Sequence, residues 1–239
     1  MKQITSSLYQ LSLGPVNAFI IDDSAGLIDD NAGITLIDTG LKGSTDKIFS
    51  ALEKAGKSPG DIRRIILTHA HSDHAGSAAE LKKRLNIPVF AHVDAVRLIE
   101  AGLSIDRPVQ RSPGLANWLI YNLFIRSAGN TIDPLTIDQH LNDNDILPFA
   151  GGIQVIYTPG HAKGHISLLL KQERVLIAGD ICAHAFGLAG STVYEDRQLG
   201  IQSILKAASL DFDTAVFGHG RPLQPAANKK LKEKFSSTA

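Results

Sequence analysis

Short apolar stretches separated by turn-forming residues fill the first forty positions. Residues 7–13, 17–22, 26–28 and 33–38 run apolar or β-branched between Gly, Asn and Asp, which predicts four short strands. At residue 44 the period changes. Segment 44–55 (STDKIFSALEKA) carries apolar residues at helical spacing, with Ser44 or Thr45 as its N-cap and Gly56 after its end. A short apolar strand at 64–68 (RIILT), a helix at 76–85, a strand at 89–91 and a helix at 93–101 follow. Later come strands at 153–158, 167–170 and 174–178, a helix around 197–208, a strand at 214–217 and a Lys-rich helix from Asn228. Strands lead, then strand and helix alternate, a pattern that predicts an α/β fold of mixed sheets covered by helices.

Residues 102–150 break this rhythm. Pro108, Pro113, Pro134 and Pro148 surround the apolar run 115–125 (LANWLIYNLFI), which is expected to be a helix inserted between two elements of the main fold. It is apolar nearly all round, so it should be covered on more than one side. Trp118 and Tyr121 are of the types enriched in interface hot spots. Together with Phe124 they suggest an apolar wall of a substrate pocket, a contact with a second copy of the chain, or both.

With 239 residues, 44% of them hydrophobic and 20% charged, the chain is expected to form one globular α/β domain rather than a disordered segment. Lys+Arg and Asp+Glu balance at 24 each, which argues against a nucleic-acid partner. Apolar runs fall far short of the ~20 residues that would cross a bilayer, so no membrane partner is expected. The start, MKQITSSLYQLSLG, lacks the continuous apolar region of a secretory leader. The single Cys182 excludes a disulfide framework and a thiolate zinc finger and fits a reducing compartment. A cytoplasmic location is the expectation.

The nine histidines change the picture. Residues 68–76 read Thr-His-Ala-His-Ser-Asp-His-Ala-Gly, placing His69, His71, Asp73 and His74 where an apolar strand is expected to give way to a helix. Imidazole and carboxylate are the ligands that zinc and its transition-series neighbours take. Three further strand ends deliver a polar residue beside glycine: His161 and His165 in 158–167, Asp180 in 178–180, and His219 in 217–220. The joint explanation is a metal site assembled from loops at one sheet edge. His92 and His140 are expected to be ordinary structural histidines.

IDTG at 37–40, THAHSDHAG at 68–76, TPGHAKGHIS at 158–167, AGD at 178–180 and FGHG at 217–220 together resemble the metallo-β-lactamase-fold hydrolase superfamily over nearly the full length. The resemblance implies a four-layer αββα sandwich, two mixed β-sheets flanked by helices, with a dinuclear metal site at the sheet edges. Carried over, His69, His71 and His161 resemble the ligands of a first metal, and Asp73, His74 and His219 those of a second. Asp180 sits where a bridging carboxylate is expected. The commonest β-lactamases have cysteine there, so this chain is more similar to the glyoxalase-II-like and lactonase-like branches. His71 stands where the flavodiiron branch has Glu, which points to two zinc ions, with iron or manganese as substitutes. Asp38 and His165 are expected to support the ligands through hydrogen bonds, and His184 to border the substrate pocket.

The activity implied is that of a dinuclear-metal-dependent hydrolase. A metal-bound hydroxide would cleave an ester, lactone or thioester of a small molecule, with Asp73 orienting the nucleophile or moving its proton. No Gly-x-Ser-x-Gly elbow or Walker-type loop offers another route. Only 20 residues follow His219, which is expected to disfavour a glutathione thioester. A lactonase-type tyrosine shortly after Asp180 is missing, Tyr194 lying much further on. The alternatives are a single-iron dioxygenase of a sulfur compound and a non-catalytic metal-binding member of the same fold.

Overall fold

Seven strands form the first sheet, in the spatial order Lys2–Gln3, Leu8–Ser12, Asn17–Asp22, Ile34–Ile37, Ile62–Ile66, Val89–His92 and Gln139–Leu141. The N-terminal strands pair antiparallel, and pairing turns parallel from Ile34–Ile37 onward. Parallel neighbours need crossovers, which the helices Thr45–Glu53, Ala78–Leu85 and Val93–Glu100 supply. The second sheet runs Thr214–Val216, Val175–Ile177, Ile166–Leu170, Ile153–Tyr157 and Ile146–Leu147. The computed structural model describes residues 1–23, 32–105, 108–127 and 129–237, so the strand expected at 26–28 lies outside the described residues.

Alternate residues of each strand face different layers. Ile20, Leu36 and Ile65 pack with Ile48, Leu52 and Leu81 of the outer helices, while Phe19, Ile37 and Ile66 meet Val155, Ile166 and Leu168 between the sheets. On the far side, Leu169 and Leu176 pack with Ile204 of the helix Arg197–Ala208 and Leu231 of the helix Ala227–Ser236. Three apolar interiors between four layers make the expected αββα sandwich. Among the described residues, no helix is long and apolar enough to cross a membrane.

Three differences from expectation bear on function. Residues 102–150 are not all an insertion: Gln139–Leu141 closes one edge of the first sheet and Ile146–Leu147 one edge of the second. Two- and three-residue edge strands carry too short a pattern to be read from side chains. The run 115–125 is helical, as the α-helix Leu115–Ile120 continued by a π-helical turn Tyr121–Ile125. It is nonetheless uncovered: none of its residues is buried, and Leu115 and Phe124 are 74% and 68% exposed. Finally, Asp73 and His74 lie in a helical turn of their own, Ser72–Ala75, rather than in a loop.

Candidate metal centre

The candidate ligands stand at four strand ends. His69 and His71 follow Ile62–Ile66, and the turn Ser72–Ala75 brings Asp73 and His74 back beside them. His161 follows Ile153–Tyr157, Asp180 follows Val175–Ile177, and His219 follows Thr214–Val216. Crowding dictates glycine at 218, where a Cβ would sit 2.1 Å from Asp180 Oδ1 and 2.5 Å from His74 Cε1. Any side chain there would displace the carboxylate.

Hydrogen bonds decide which imidazole nitrogen faces inward. His161 Nδ1 donates to the Val193 carbonyl at 2.8 Å, and His219 Nδ1 to the Pro15 carbonyl at 2.8 Å. His74 Nδ1 donates to Asp38 Oδ2 at 2.8 Å. The Thr68 hydroxyl donates to Asp38, so it accepts from His69 Nδ1 at 2.9 Å. In all four rings Nε2 faces the centre, where that of His161 lies 3.0 Å from His71 Nδ1. Such anchors orient metal-ligating histidines and raise their basicity. His165 differs, because its Nδ1 meets Thr158 Oγ1 and its Nε2 accepts from the Asp180 N–H, both at 2.9 Å. Both nitrogens are spent within the protein.

Burial splits the histidines by charge. It pulls His71 down to about 4 and His161 to about 3, and His69 and His165 well below the ordinary range. These rings are neutral, and those of His69, His71 and His161 keep a lone pair for a ligand, whereas both His165 nitrogens are already bonded. Burial also opposes charge on His74 and His219, but Asp180 and Asp73 outweigh it, holding His74 well above the ordinary range and His219 at about 10. The same pairing keeps Asp73 and Asp180 ionised, since His74 and His219 overcome the burial that would raise both carboxyls. A cation entering here displaces protons, as metal binding generally does.

The donors fit a metal. The ligand atoms of His69, His71 and His161 lie within 4.8 Å of one another, as do those of His69, His74 and Asp180, and those of Asp73, His74 and His219. Asp180 Oδ2 is 3.1 Å from His219 Nε2, 3.5 Å from His74 Nε2 and 3.7 Å from His161 Nε2. His69 Nε2, His74 Nε2 and Asp180 Oδ1 are buried with no hydrogen-bond partner among the described residues. A buried polar atom without a partner is costly, and a cation would satisfy all three. Nitrogen and carboxylate oxygen are the donor types of zinc sites.

The other expected residues fall into place unequally. Asp38, at φ 59°, accepts from the Thr68 N–H, the Thr68 hydroxyl and His74. His92 stacks on Tyr157 at 4.0 Å and caps the helix Val93–Glu100, a structural role. Half-buried His184 sits against the His219 loop, its Nδ1 3.1 Å from the Arg221 carbonyl. Trp118, Tyr121 and Phe124 join none of the three donor groups. Their helix starts beside the centre, since Asn117 accepts from Thr192 at 3.3 Å and Gln110–Arg111 pairs with Val193–Tyr194. Cys182, fully buried in the outer core of the second sheet with its thiol pushed up by burial, takes no part. Three contributors went unread in the sequence: Thr68, whose place inside the histidine motif could have flagged it, the segment 191–194, and Asn17, whose amide holds the carbonyls of Phe217 and Gly220 at 2.9 Å.

A profile described as the metallo-beta-lactamase superfamily matches residues 13–219. The chain is 30% identical over 202 residues to the probable metallo-hydrolase YflN of Bacillus subtilis, covering 79% of this chain and 75% of the relative. It is 27% identical over 213 residues to the hydroxyacylglutathione hydrolase GloC of Haemophilus influenzae, 86% of this chain and 88% of that one. Among solved structures, the subclass B3 metallo-beta-lactamase BJP-1 of Bradyrhizobium japonicum superposes with a TM-score of 0.70 at 20% identity, over 99% of this chain and 90% of that one. Such low identity speaks for the fold alone. A family match over residues 13–219, a relative aligned over three quarters of its length, a four-layer sandwich and donors gathered at four strand ends agree: the chain belongs to the metallo-beta-lactamase superfamily, as a metal-dependent hydrolase.

Proposed function

We propose that the chain is a dinuclear zinc hydrolase that cleaves an ester, lactone or thioester of a small substrate. The observation that carries this reading is the chain of three donor groups, the middle one joined to the first through His69 and to the third through His74. In it, His69, His71 and His161 hold one ion, Asp73, His74 and His219 hold the other, and Asp180 lies between them. Metal, when bound, supplies a water that ionises near neutral pH and an electrophile for the carbonyl oxygen. The four Nδ1 anchors keep the imidazoles from turning away, and the burial of His69, His71 and His161 keeps them unprotonated. Asp73, whose side chain is 31% exposed, has Oδ2 3.3 Å from His219 Nε2 and, in this reading, takes or returns a proton at its other oxygen. Iron and manganese accept the same donors.

A glutathione thioester is a second reading. The expectation against it rested on the short segment after His219, yet a relative named hydroxyacylglutathione hydrolase aligns over 88% of its own length. Elemental analysis with a panel of lactone, aryl ester, glutathione thioester and phosphodiester substrates tests both. Two zinc ions per chain, activity rising with pH through neutrality and loss on full chelation are expected. One iron per chain would favour the sulfur dioxygenase. Activity that survives complete metal removal sinks the hydrolytic reading.

In this reading the uncovered helix has a use. Trp118, Tyr121 and Phe124 wall the substrate mouth and meet a second copy of the chain, with His184 on the opposite rim. The support is the exposure of Trp118 and Phe124 on a helix tied at its start to residue 192. A Trp118→Glu, Phe124→Lys variant should fold and keep its metal while its KM or its size on gel filtration changes. A variant unchanged in both rejects the assignment.

A further inference from the structure

In the dinuclear reading Asp180 lies between the two ligand sets, and side chains grip the backbone on both sides of it. Its N–H donates to His165, and its carbonyl accepts from the Ser191 hydroxyl. The next carbonyl, of Ile181, accepts from the Tyr194 hydroxyl at 2.7 Å, and the Tyr194 oxygen accepts the Ser191 N–H at 2.8 Å. The same segment receives the His161 anchor on the Val193 carbonyl. The Tyr194 ring stands edge-on to the His161 ring, with centroids 5.9 Å apart. Three residues of the segment 191–194, Ser191, Val193 and Tyr194, thus hold a histidine of the first ligand set and the carboxylate between the sets.

Tyr194 is 1% exposed, and its ring has one seat. A Cβ on Gly200, in the helix Arg197–Ala208, would lie 2.5 Å from two of its ring carbons. Its hydroxyl proton is committed to Ile181, and its lone pair to Ser191. Such a group cannot meet substrate, yet it can decide where Asp180 stands relative to His161. Bonds of about 2.8 Å with little slack transmit displacement well in a close-packed interior, and outer hydrogen-bond partners of metal ligands commonly change affinity or activity 10–100-fold when removed.

We propose that Tyr194, working with Ser191, is a positioning residue that sets the spacing between His161 and Asp180 and so the coupling of the two metal positions. The inference rests on the dinuclear reading above. Cobalt(II) is the probe, because its visible bands report ligand geometry. Stepwise affinities come from competition with a chromophoric chelator, using the full chain and its Tyr194→Phe, Ser191→Ala and Ile48→Val variants. Ile48 is buried on the far side of the first sheet, so its variant controls for general loosening.

Tyr194→Phe should bind at least one cobalt equivalent about tenfold or more weakly, with shifted visible bands. Ser191→Ala should move in the same direction and carries the test should Tyr194→Phe not fold. Ile48→Val should keep the wild-type spectrum. A wild type that takes up two equivalents, with variants at 191 and 194 unchanged in spectrum and affinity, overturns this inference alone. A wild type that takes up fewer than two overturns the dinuclear reading with it.

Discussion

Replacing Asp180 by Ala is expected to lower bound metal and turnover together, turnover by more than about 100-fold. That is the upper end of what losing an outer hydrogen-bond partner of a ligand costs, and Asp180 stands closer to the centre than any such partner. Its Oδ2 lies within 3.7 Å of an inward nitrogen of His74 and His219, which share one donor group, and of His161, which belongs to another. Without the carboxylate, His74 and His219 also lose the largest favourable charge interaction that keeps them cationic in the metal-free protein. His69→Ala should behave differently and empty mainly the first group, because the Asp73, His74 and His219 donors remain. Elemental analysis beside steady-state kinetics separates the two patterns. An Asp180→Ala protein with two metals and normal turnover would show that the carboxylate bridges nothing.

Asp38→Ala is expected to cost about 3–5 kcal/mol, the usual penalty for removing one partner of a buried ion pair. Asp38 is fully buried and accepts three hydrogen bonds, from the Thr68 N–H, the Thr68 hydroxyl and His74 Nδ1. Its left-handed backbone, φ 59°, is one that Asp tolerates better than most residues and Ala does not. The loss reaches the metal through two routes: His74 can turn, and the Thr68 hydroxyl no longer has a reason to accept from His69. Metal content should therefore fall along with stability. Urea unfolding of the metal-free and metal-loaded forms measures both, and a shift within about 0.5 kcal/mol, the range of an ordinary surface change, would reject the role.

The residues that could be read from the sequence are those whose side chains break a local rule. His69, His71, Asp73 and His74 interrupt an apolar strand's exit, and Asp180 and His219 stand beside glycines at strand ends, so each is conspicuous without a structure. The buried parallel strands were equally visible, since Ile34–Ile37 is buried at every position and residues 65–67 form a buried apolar run. What stayed hidden works through the backbone. Val193 contributes a carbonyl, Gln139–Leu141 contributes ladder bonds, and neither needs a particular side chain. Asn17 looks like any polar residue at a turn until its amide is seen reaching the His219 loop, two hundred positions on. The helix 115–125 was legible as a helix. Its lack of cover depends on how the chain around it is anchored, which composition does not encode.

Ligands drawn from both sheets have a topological consequence. From Asp73 to His219, which fall in one donor group, the chain makes a circuit of 146 steps, and a cation held by both ends of it would act as a clasp. A clasp over so long a span restricts the unfolded chain more than a short one, although the gain grows only logarithmically with length. Every ion bound to the folded form alone also shifts the folding balance by mass action. In the proposed reading the ions that would cut a substrate would also tie the first half of the chain to the second, and metal supply would help decide how long the folded protein survives.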